Sequence, residues 1–299
     1  MTARRTDAKA GAMSDVLILT PDPDDPAFSG RWREVCQRMT DPLEARGLAV
    51  SHLPWTKVIA DTGPLAGARL VLPLMVWGYH RRGADWQSAC ALWREAGAAV
   101  MNPPEVLSWN ADKAYLAKLA ARGAPVVPSS HVERLDEAMV AQALARHGTV
   151  IVKPQVSASA YRTLRIHSLD DWRTGEGPEG AAIIQPYLPA IESEGEWSLI
   201  FCGGTFSHAI TKRPRSGDFR IQPEYGGHIE AATPPEDVRE AAQGVLAVID
   251  EPLLYARIDL VRHEGRPCLM EAELIEPDLY LGFDPLRGAR FAEAVAGVL

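Results

Sequence analysis

Tyr255-Ala-Arg-Ile-Asp-Leu-Val261 and Leu269-Met-Glu-Ala-Glu-Leu274 stand on either side of a turn signal at Glu264-Gly265. Both stretches read as strands, and so short a turn pairs them antiparallel. Glu271 and Glu273 lie two residues apart on one face, and the pairing brings Asp259 to join them. Carboxylates set among Ile, Leu and Met are costly unless a cation neutralises them. An all-oxygen donor set selects Mg2+ or Mn2+. The competing reading is a solvent-facing acidic stripe on a half-exposed sheet.

Working outward, strands over 196–202 and 205–211 are joined by Gly203-Gly204, a two-residue hairpin signal. Thr233-Pro-Pro-Glu236 spells a capping box with Pro at the first helical position, which predicts a helix to about 249. A last helix is expected over about 284–299. Upstream, Val150-Ile-Val-Lys-Pro154 is an apolar strand ending at Lys153, before a small, polar loop over 155–162. A lysine beside flexible backbone N–H groups suits nucleotide phosphates. Ala182-Ile-Ile-Gln-Pro-Tyr-Leu188 is apolar enough for adenine, and Glu192, Glu194 and Glu196 follow within reach of ribose hydroxyls. Lys212, Arg213, Arg215 and Arg220 make a basic loop, otherwise a solvated surface. Asn110 predicts the cap of a helix carrying Lys113, Leu116 and Leu119 and stopping at Gly123. The GxGxxG spelling at Gly175–Gly180 precedes a strand instead of following one, so it reads as a surface turn.

The first hundred residues alternate differently. Strands over 16–19, 48–53, 69–76 and 98–101 interleave with helices over 31–46 and 85–96, which predicts a parallel sheet covered by helices. That unit should close near Asn102-Pro-Pro104. A chain of 299 residues favours two domains. Its 31 basic against 39 acidic side chains, net −8, argue against a nucleic-acid or anionic-membrane partner. Cys36, Cys90, Cys202 and Cys268 are too widely spaced for a zinc knuckle or a CxxC pair and read as free thiols in a reducing cytoplasm. Pro73 and Gly78 interrupt the longest apolar run, which is too short to span a bilayer. Residues 1–13 read as a disordered leader without a signal peptide. GxSxG, HExxH and Walker motifs are absent.

Taken in order, these features resemble the ATP-grasp superfamily over about 100–299. The resemblance implies an α/β (α+β) ATP-grasp fold preceded by a parallel-sheet domain. Its parts would be a leader over 1–13, a substrate-side domain over 14–103 and an ATP-grasp domain over 104–299. The last would divide into a central and lid part over about 110–185 and a catalytic part over about 186–299. Lys113, Lys153, Ser157, Ser159, Gln185, Tyr187, Leu188 and Glu196 are then implied to bind ATP. Arg213, Arg220 and Lys153 would serve the chemistry, and Asp259, Glu271 and Glu273 would hold Mg2+ (or Mn2+). Asp22, Tyr79, His80 and Arg257 would face the substrate. Two departures stand out: the phosphate loop, Ser157-Ala-Ser-Ala-Tyr161, is poor in glycine, and Glu273 stands where the family often has Asn.

Within the superfamily, Trp77-Gly-Tyr-His80, Asn102-Pro-Pro104, Trp109-Asn-Ala-Asp-Lys113 and Glu271-Ala-Glu-Leu-Ile-Glu-Pro277 are most similar to the bacterial group containing a D-cycloserine-forming cyclo-ligase. That similarity implies ATP-dependent activation of a carboxylate as an acyl phosphate, and ring closure of O-ureido-D-serine behind a closing 155–162 loop. It also implies a small amino-acid-like substrate and a homodimer. Three classes compete: a ligase (intramolecular or joining a carboxylate to a second amine), a small-molecule kinase, and a non-catalytic nucleotide-binding regulator. A filled carboxylate triad argues against the regulator.

Overall fold

The structure, a computed structural model, describes residues 13–28, 31–158, 160–172, 177–221 and 225–299. The expected leader and part of the Gly175–Gly180 turn therefore lie outside the described residues.

Strand β1 (Ser14–Thr20) is followed by α1 (Arg31–Ala45), β2 (Val50–Pro54), β3 (Ala68–Leu72) and α2 (Gly83–Glu95). The sheet is parallel, in the order β2-β1-β3. Central β1 is buried on both faces, as its unbroken Val16-Leu-Ile-Leu19 run requires. Leu17 and Leu19 meet Trp86, Cys90 and Trp93 of α2, while Val16 and Ile18 meet Cys36, Met39 and Leu43 of α1. The strand expected over 69–76 ends at Leu72, since Pro73 has no N–H for the ladder. The strand expected over 98–101 reduces to a single bridge between Val71 and Val100.

Next come α3 (Pro104–Asn110), α4 (Tyr115–Ala121), β4 (Ser130–Val132), α5 (Glu137–His147), β5 (Val150–Pro154), β6 (Leu164–Ile166) and β7 (Ala182–Pro186). The four strands form an antiparallel sheet in the order β4-β7-β5-β6, backed by α5. Asp136 caps α5 by accepting from the Met139 N–H at 2.8 Å. Asn110 does not begin a helix as expected; it ends α3, and Lys113 lies in the turn before α4.

The remaining elements are α6 (Ala190–Ser193), β8 (Glu196–Cys202), β9 (Thr205–Arg213), β10 (His228–Ala231), α7 (Glu236–Ala247), β11 (Tyr255–His263), β12 (Arg266–Glu273) and α8 (Ala289–Gly297). They supply an antiparallel sheet in the order β10-β9-β8-β11-β12. Gly203 and Gly204 have φ of 55° and 73°, the left-handed pair that a two-residue hairpin demands. The expected capping box at Thr233 does not form: Pro235 precedes α7 without a side-chain cap. The last helix is shorter than expected, and its Phe291, Ala292 and Val295 pack back against Val16, Ile18 and Leu43 of the first unit.

Strand β12 is an edge, and its outward backbone groups are covered rather than left open. The Asn110 amide donates to the Ala272 carbonyl at 2.8 Å and accepts from the Leu274 N–H at 3.0 Å. The Tyr115 hydroxyl accepts from the Ala272 N–H at 2.8 Å. Fully buried Asn102 donates to the Tyr255 and Leu274 carbonyls at 2.9 and 2.7 Å and accepts from the Leu254 N–H at 2.8 Å. The two asparagines thus fix the strands that carry the acidic cluster. Among the described residues no helix is long and apolar enough to cross a membrane. All four cysteines are free, three of them buried.

Candidate active site

A cavity of about 830 Å³ is lined by both antiparallel sheets and by residues 77–80 of the first unit. At one end Ile151, Leu188, Ile191, Val261 and Met270 form apolar walls. Gln185 stands among them, its amide nitrogen donating to the Ser129 hydroxyl at 2.8 Å and its buried Oε1 without a partner among the described residues. An orphaned acceptor costs about 1–3 kcal/mol, and an amine-bearing aromatic ring would satisfy it. Tyr187 lines the same end, its hydroxyl bonded to Glu192 and its ring under Arg165, at 5.3 Å.

In the middle of the cavity, charges of both signs are packed together. The register sets Asp259 opposite Glu271 and Arg257 opposite Glu273. Arg257 grips Asp259 with two nitrogens, at 3.0 and 2.9 Å, and also reaches Glu273. Lys212 lies 2.8 Å from Glu196 and 3.3 Å from Asp259. Ser198 donates to Asp259 at 2.5 Å. Lys113 lies 3.2 Å from Glu271 and donates to the Ser157 carbonyl at 2.8 Å, tying the loop after β5 to the α3–α4 turn. Lys153 lines the cavity with no hydrogen bond or ion pair among the described residues. Desolvation lowers its amine to about 8, against the pull of Glu271.

Burial pushes the Glu273 carboxyl up to about 7, only partly offset by Arg257. Burial also opposes ionisation of Asp259, but Arg257 and Lys212 outweigh it and hold that carboxyl below its usual range. Asp259 is thus a counter-ion in this structure. Binding a cation would require it to release Lys212 or Arg257, a change from its expected place as a free ligand. Among the described residues no three His, Cys, Asp or Glu side chains form a metal-holding group by themselves. Glu271 and Glu273 nevertheless fit Mg2+: they offer hard oxygen ligands on the cavity wall, and Glu273 lacks full compensation for its charge. Mg2+ commonly takes one or two carboxylates and completes its shell with phosphate oxygens and water.

The other expected residues divide. Lys113, Lys153, Ser157, Gln185, Tyr187, Leu188, Glu196, Arg220, Tyr79, His80 and Arg257 all line the cavity. Glu196 faces Lys212, however, so its carboxylate is already paired. Arg220 is held by Asp218 at 2.8 Å and lies 3.8 Å over the Tyr225 ring. Ser159 lies outside the described residues. Arg213 is a correction: it points away, to Glu230 at 2.8 Å and the Glu194 carbonyl at 3.2 Å. Asp22 is another. It accepts from the Thr56 hydroxyl at 3.1 Å and lines a separate hollow beside Trp77.

Lys212, overlooked as a site residue, takes the place expected for Arg213. The hairpin pairs Cys202 with Thr205, and an unbroken count would set Thr211 opposite Glu196. A register shift between Ile200 and Phe201 sets Lys212 there instead. A one-residue bulge flips every later side chain to the other face, and nothing in the local sequence marks it. Tyr280, also missed, has φ 48° and lays its ring 5.4 Å from the Arg257 guanidinium carbon and 5.7 Å from the Lys212 amine.

No protein-family model matches the chain. Among curated proteins, it is 31% identical over 244 residues to the cycloserine biosynthesis protein DcsG of Streptomyces lavendulae, covering 74% of this chain and 80% of that protein. It is 26% identical over 204 residues to a glutathione synthetase of Synechocystis, covering 66% of this chain and 60% of that enzyme. Its structure superposes on the crystal structure of D-cycloserine synthetase DcsG with a TM-score of 0.76 and 26% identity, covering 95% of this chain and all of the other. The ATP-grasp ligase PsnB, solved with a minimal precursor variant, Mg and ADP, shares the fold at a TM-score of 0.64 and 17% identity, over 96% of this chain and 99% of the other. The kinase and regulator readings fall away, and the chain belongs to the ATP-grasp family as a homologue of D-cycloserine synthetase, an ATP-dependent carbon–nitrogen ligase.

Proposed function

We propose that the enzyme closes a single amino-acid-like substrate, O-ureido-D-serine, into D-cycloserine at the expense of ATP. The observation that carries this reading is one continuous cavity. It runs from the Gln185 slot, past Lys153 and Arg257, to Tyr79 and His80, with room for a nucleotide and one small substrate. Similarity to DcsG in both sequence and fold supports the choice of substrate.

Adenine would rest between Ile151 and Met270, with its amine at the Gln185 Oε1. Lys113 and Lys153 would receive the phosphates as point charges. Arg257, freed from Glu273, would orient the substrate carboxylate toward the γ-phosphate. The carboxylate oxygen attacks phosphorus, ADP leaves, and an acyl phosphate results. The oxygen-bound nitrogen of the ureido group, already attached to the substrate, then displaces inorganic phosphate and closes the ring, so geometry replaces a second binding event; water removes the carbamoyl group that this nitrogen carries, as carbon dioxide and ammonia. Mg2+ bound by Glu271 and Glu273 together with phosphate oxygens would neutralise the developing charge.

The test is product analysis. The protein is supplied with O-ureido-D-serine and Mg·ATP, with and without added free amines, and the products are read by mass spectrometry. D-cycloserine with one ADP per ring, insensitive to added amine, is the expected result. Product that forms only with a second amine would make the enzyme an intermolecular ligase.

A further inference from the structure

Three polar groups at the first-unit end of the cavity have no partner among the described residues. Glu276, in the segment that follows β12, lines the cavity and makes no hydrogen bond or ion pair among the described residues. The Tyr79 hydroxyl likewise has no hydrogen bond there, and the buried Nδ1 of His80 is orphaned. The other cavity acids are all engaged. Glu196 and Asp259 meet Lys212, Glu271 meets Lys113, Glu273 meets Arg257, and Asp278 accepts from the Tyr280 N–H at 2.8 Å. Arg257 also donates to the Asp278 carbonyl at 3.3 Å, which moors the Glu276 segment beside the guanidinium.

Glu276, Tyr79 and His80 together offer acceptor atoms. Desolvation, with Arg81 and Lys113 near, lowers the His80 imidazole, which keeps it neutral and able to accept. A primary ammonium carries three N–H donors and matches such a set. In an α-amino acid that ammonium sits two bonds from the carboxylate carbon, so a substrate whose carboxylate meets Arg257 must place it close by. We propose that Glu276, assisted by Tyr79 and His80, forms the subsite that holds the substrate's α-ammonium and so restricts the enzyme to amino-acid carboxylates. The inference rests on reading the cavity as the site of an amino-acid-like carboxylate. Burial, with Glu273 adding to it, pushes the Glu276 carboxyl well above its usual range, since no cation within the chain's described residues pairs with it. An ammonium bound there would be its counter-charge. Tyr79 and His80 then supply neutral acceptors at no cost in net charge.

The experiment is calorimetric binding to the full chain in the presence of Mg·ADP, for wild type and Glu276→Gln. Two ligand pairs are used: O-ureido-D-serine against its deamino counterpart, and D-serine against 3-hydroxypropanoate. Wild type should favour the amine by about ten-fold or more, since a hydrogen bond to a charged group carries that much. Glu276→Gln should bring the members of each pair within about two-fold while Mg·ADP affinity is unchanged, which certifies the fold. Glu276→Asp should restore part of the preference. If wild type ignores the first pair but discriminates the second, the ring substrate is wrong and the ammonium subsite stands. No preference for the amine in either pair, or a preference that survives intact in Glu276→Gln, overturns the inference.

Discussion

Lys153 and Lys212 are two amines in one cavity whose surroundings push them in opposite directions. Lys212 has two carboxylates against it, and they outweigh desolvation and the repulsion of Arg257, so its amine is held above its usual range. Lys153 has no such partner and loses its proton near pH 8 rather than near 10.5. Between those values the unfolded chain holds the extra proton, so this group adds stability as pH rises. Over the same range it withdraws charge from the phosphates. The KM for ATP should therefore climb above pH 8, approaching about ten-fold per pH unit. Lys153→Arg, permanently charged, should flatten the climb. Lys153→Ala should raise the KM at pH 7 by about ten-fold or more without loss of folding stability, and parallel pH profiles for all three proteins would remove Lys153 from the phosphates. Lys212 answers to a different measurement. Removing it leaves Glu196 buried without its cation and Asp259 with Arg257 alone, at a cost of about 3–5 kcal/mol. Arg213→Ala, breaking a half-exposed pair with Glu230, should change stability by less than about 1 kcal/mol. Urea midpoints of the two variants separate them, and equal losses would reverse the assignment. Lys153 was legible because it ends an apolar run. Lys212 was hidden by the bulge in β9 at Ser207, which no residue type announces.

Strand β12 shows what one element can do with its two sides. Glu271 and Glu273 line the cavity, while the backbone of Ala272 and Leu274 is held from outside by Asn110 and Tyr115. Asn110→Ala leaves the buried Leu274 N–H unpaired and takes one of two donors from the Ala272 carbonyl, which keeps the Tyr115 hydroxyl at 3.1 Å, so a loss of about 1–3 kcal/mol is expected. Because the strand carries the acidic pair, kcat should fall along with stability even though the Asn110 side chain bonds to backbone and not to the carboxylates' ion-pair network. Thermal unfolding and turnover measured on one preparation check this, and unchanged values for both would mean that the strand holds itself. The β11–β12 pairing was readable from alternation and turn chemistry alone. Asn110 was not, because the residue that best fits a helix cap is spent instead on an edge strand far away in sequence. The break between α3 and α4 follows from that choice, and it places Lys113 in a turn where it can reach both Glu271 and Ser157.

At the scale of the molecule, the three sheets meet around one cavity. The segment between β3 of the parallel sheet and α2 supplies Tyr79 and His80, the β4–β7 sheet supplies Lys153 and Gln185, and the last sheet supplies most of the charged network. The return of α8 onto the first unit joins the two halves of the chain through a shared core. This arrangement was only partly visible in the sequence: the order of elements pointed to it, but long-range packing between residues 16–43 and 291–295 has no local signature. The central claim is that the chain activates a carboxylate as an acyl phosphate. Oxygen-18 placed in the carboxylate of O-ureido-D-serine tests it directly. Attack on the γ-phosphate followed by displacement of phosphate must carry one labelled oxygen into the inorganic phosphate released. Mass spectrometry of that phosphate should show one oxygen-18 per turnover. Unlabelled phosphate, or label appearing in AMP, would contradict the account.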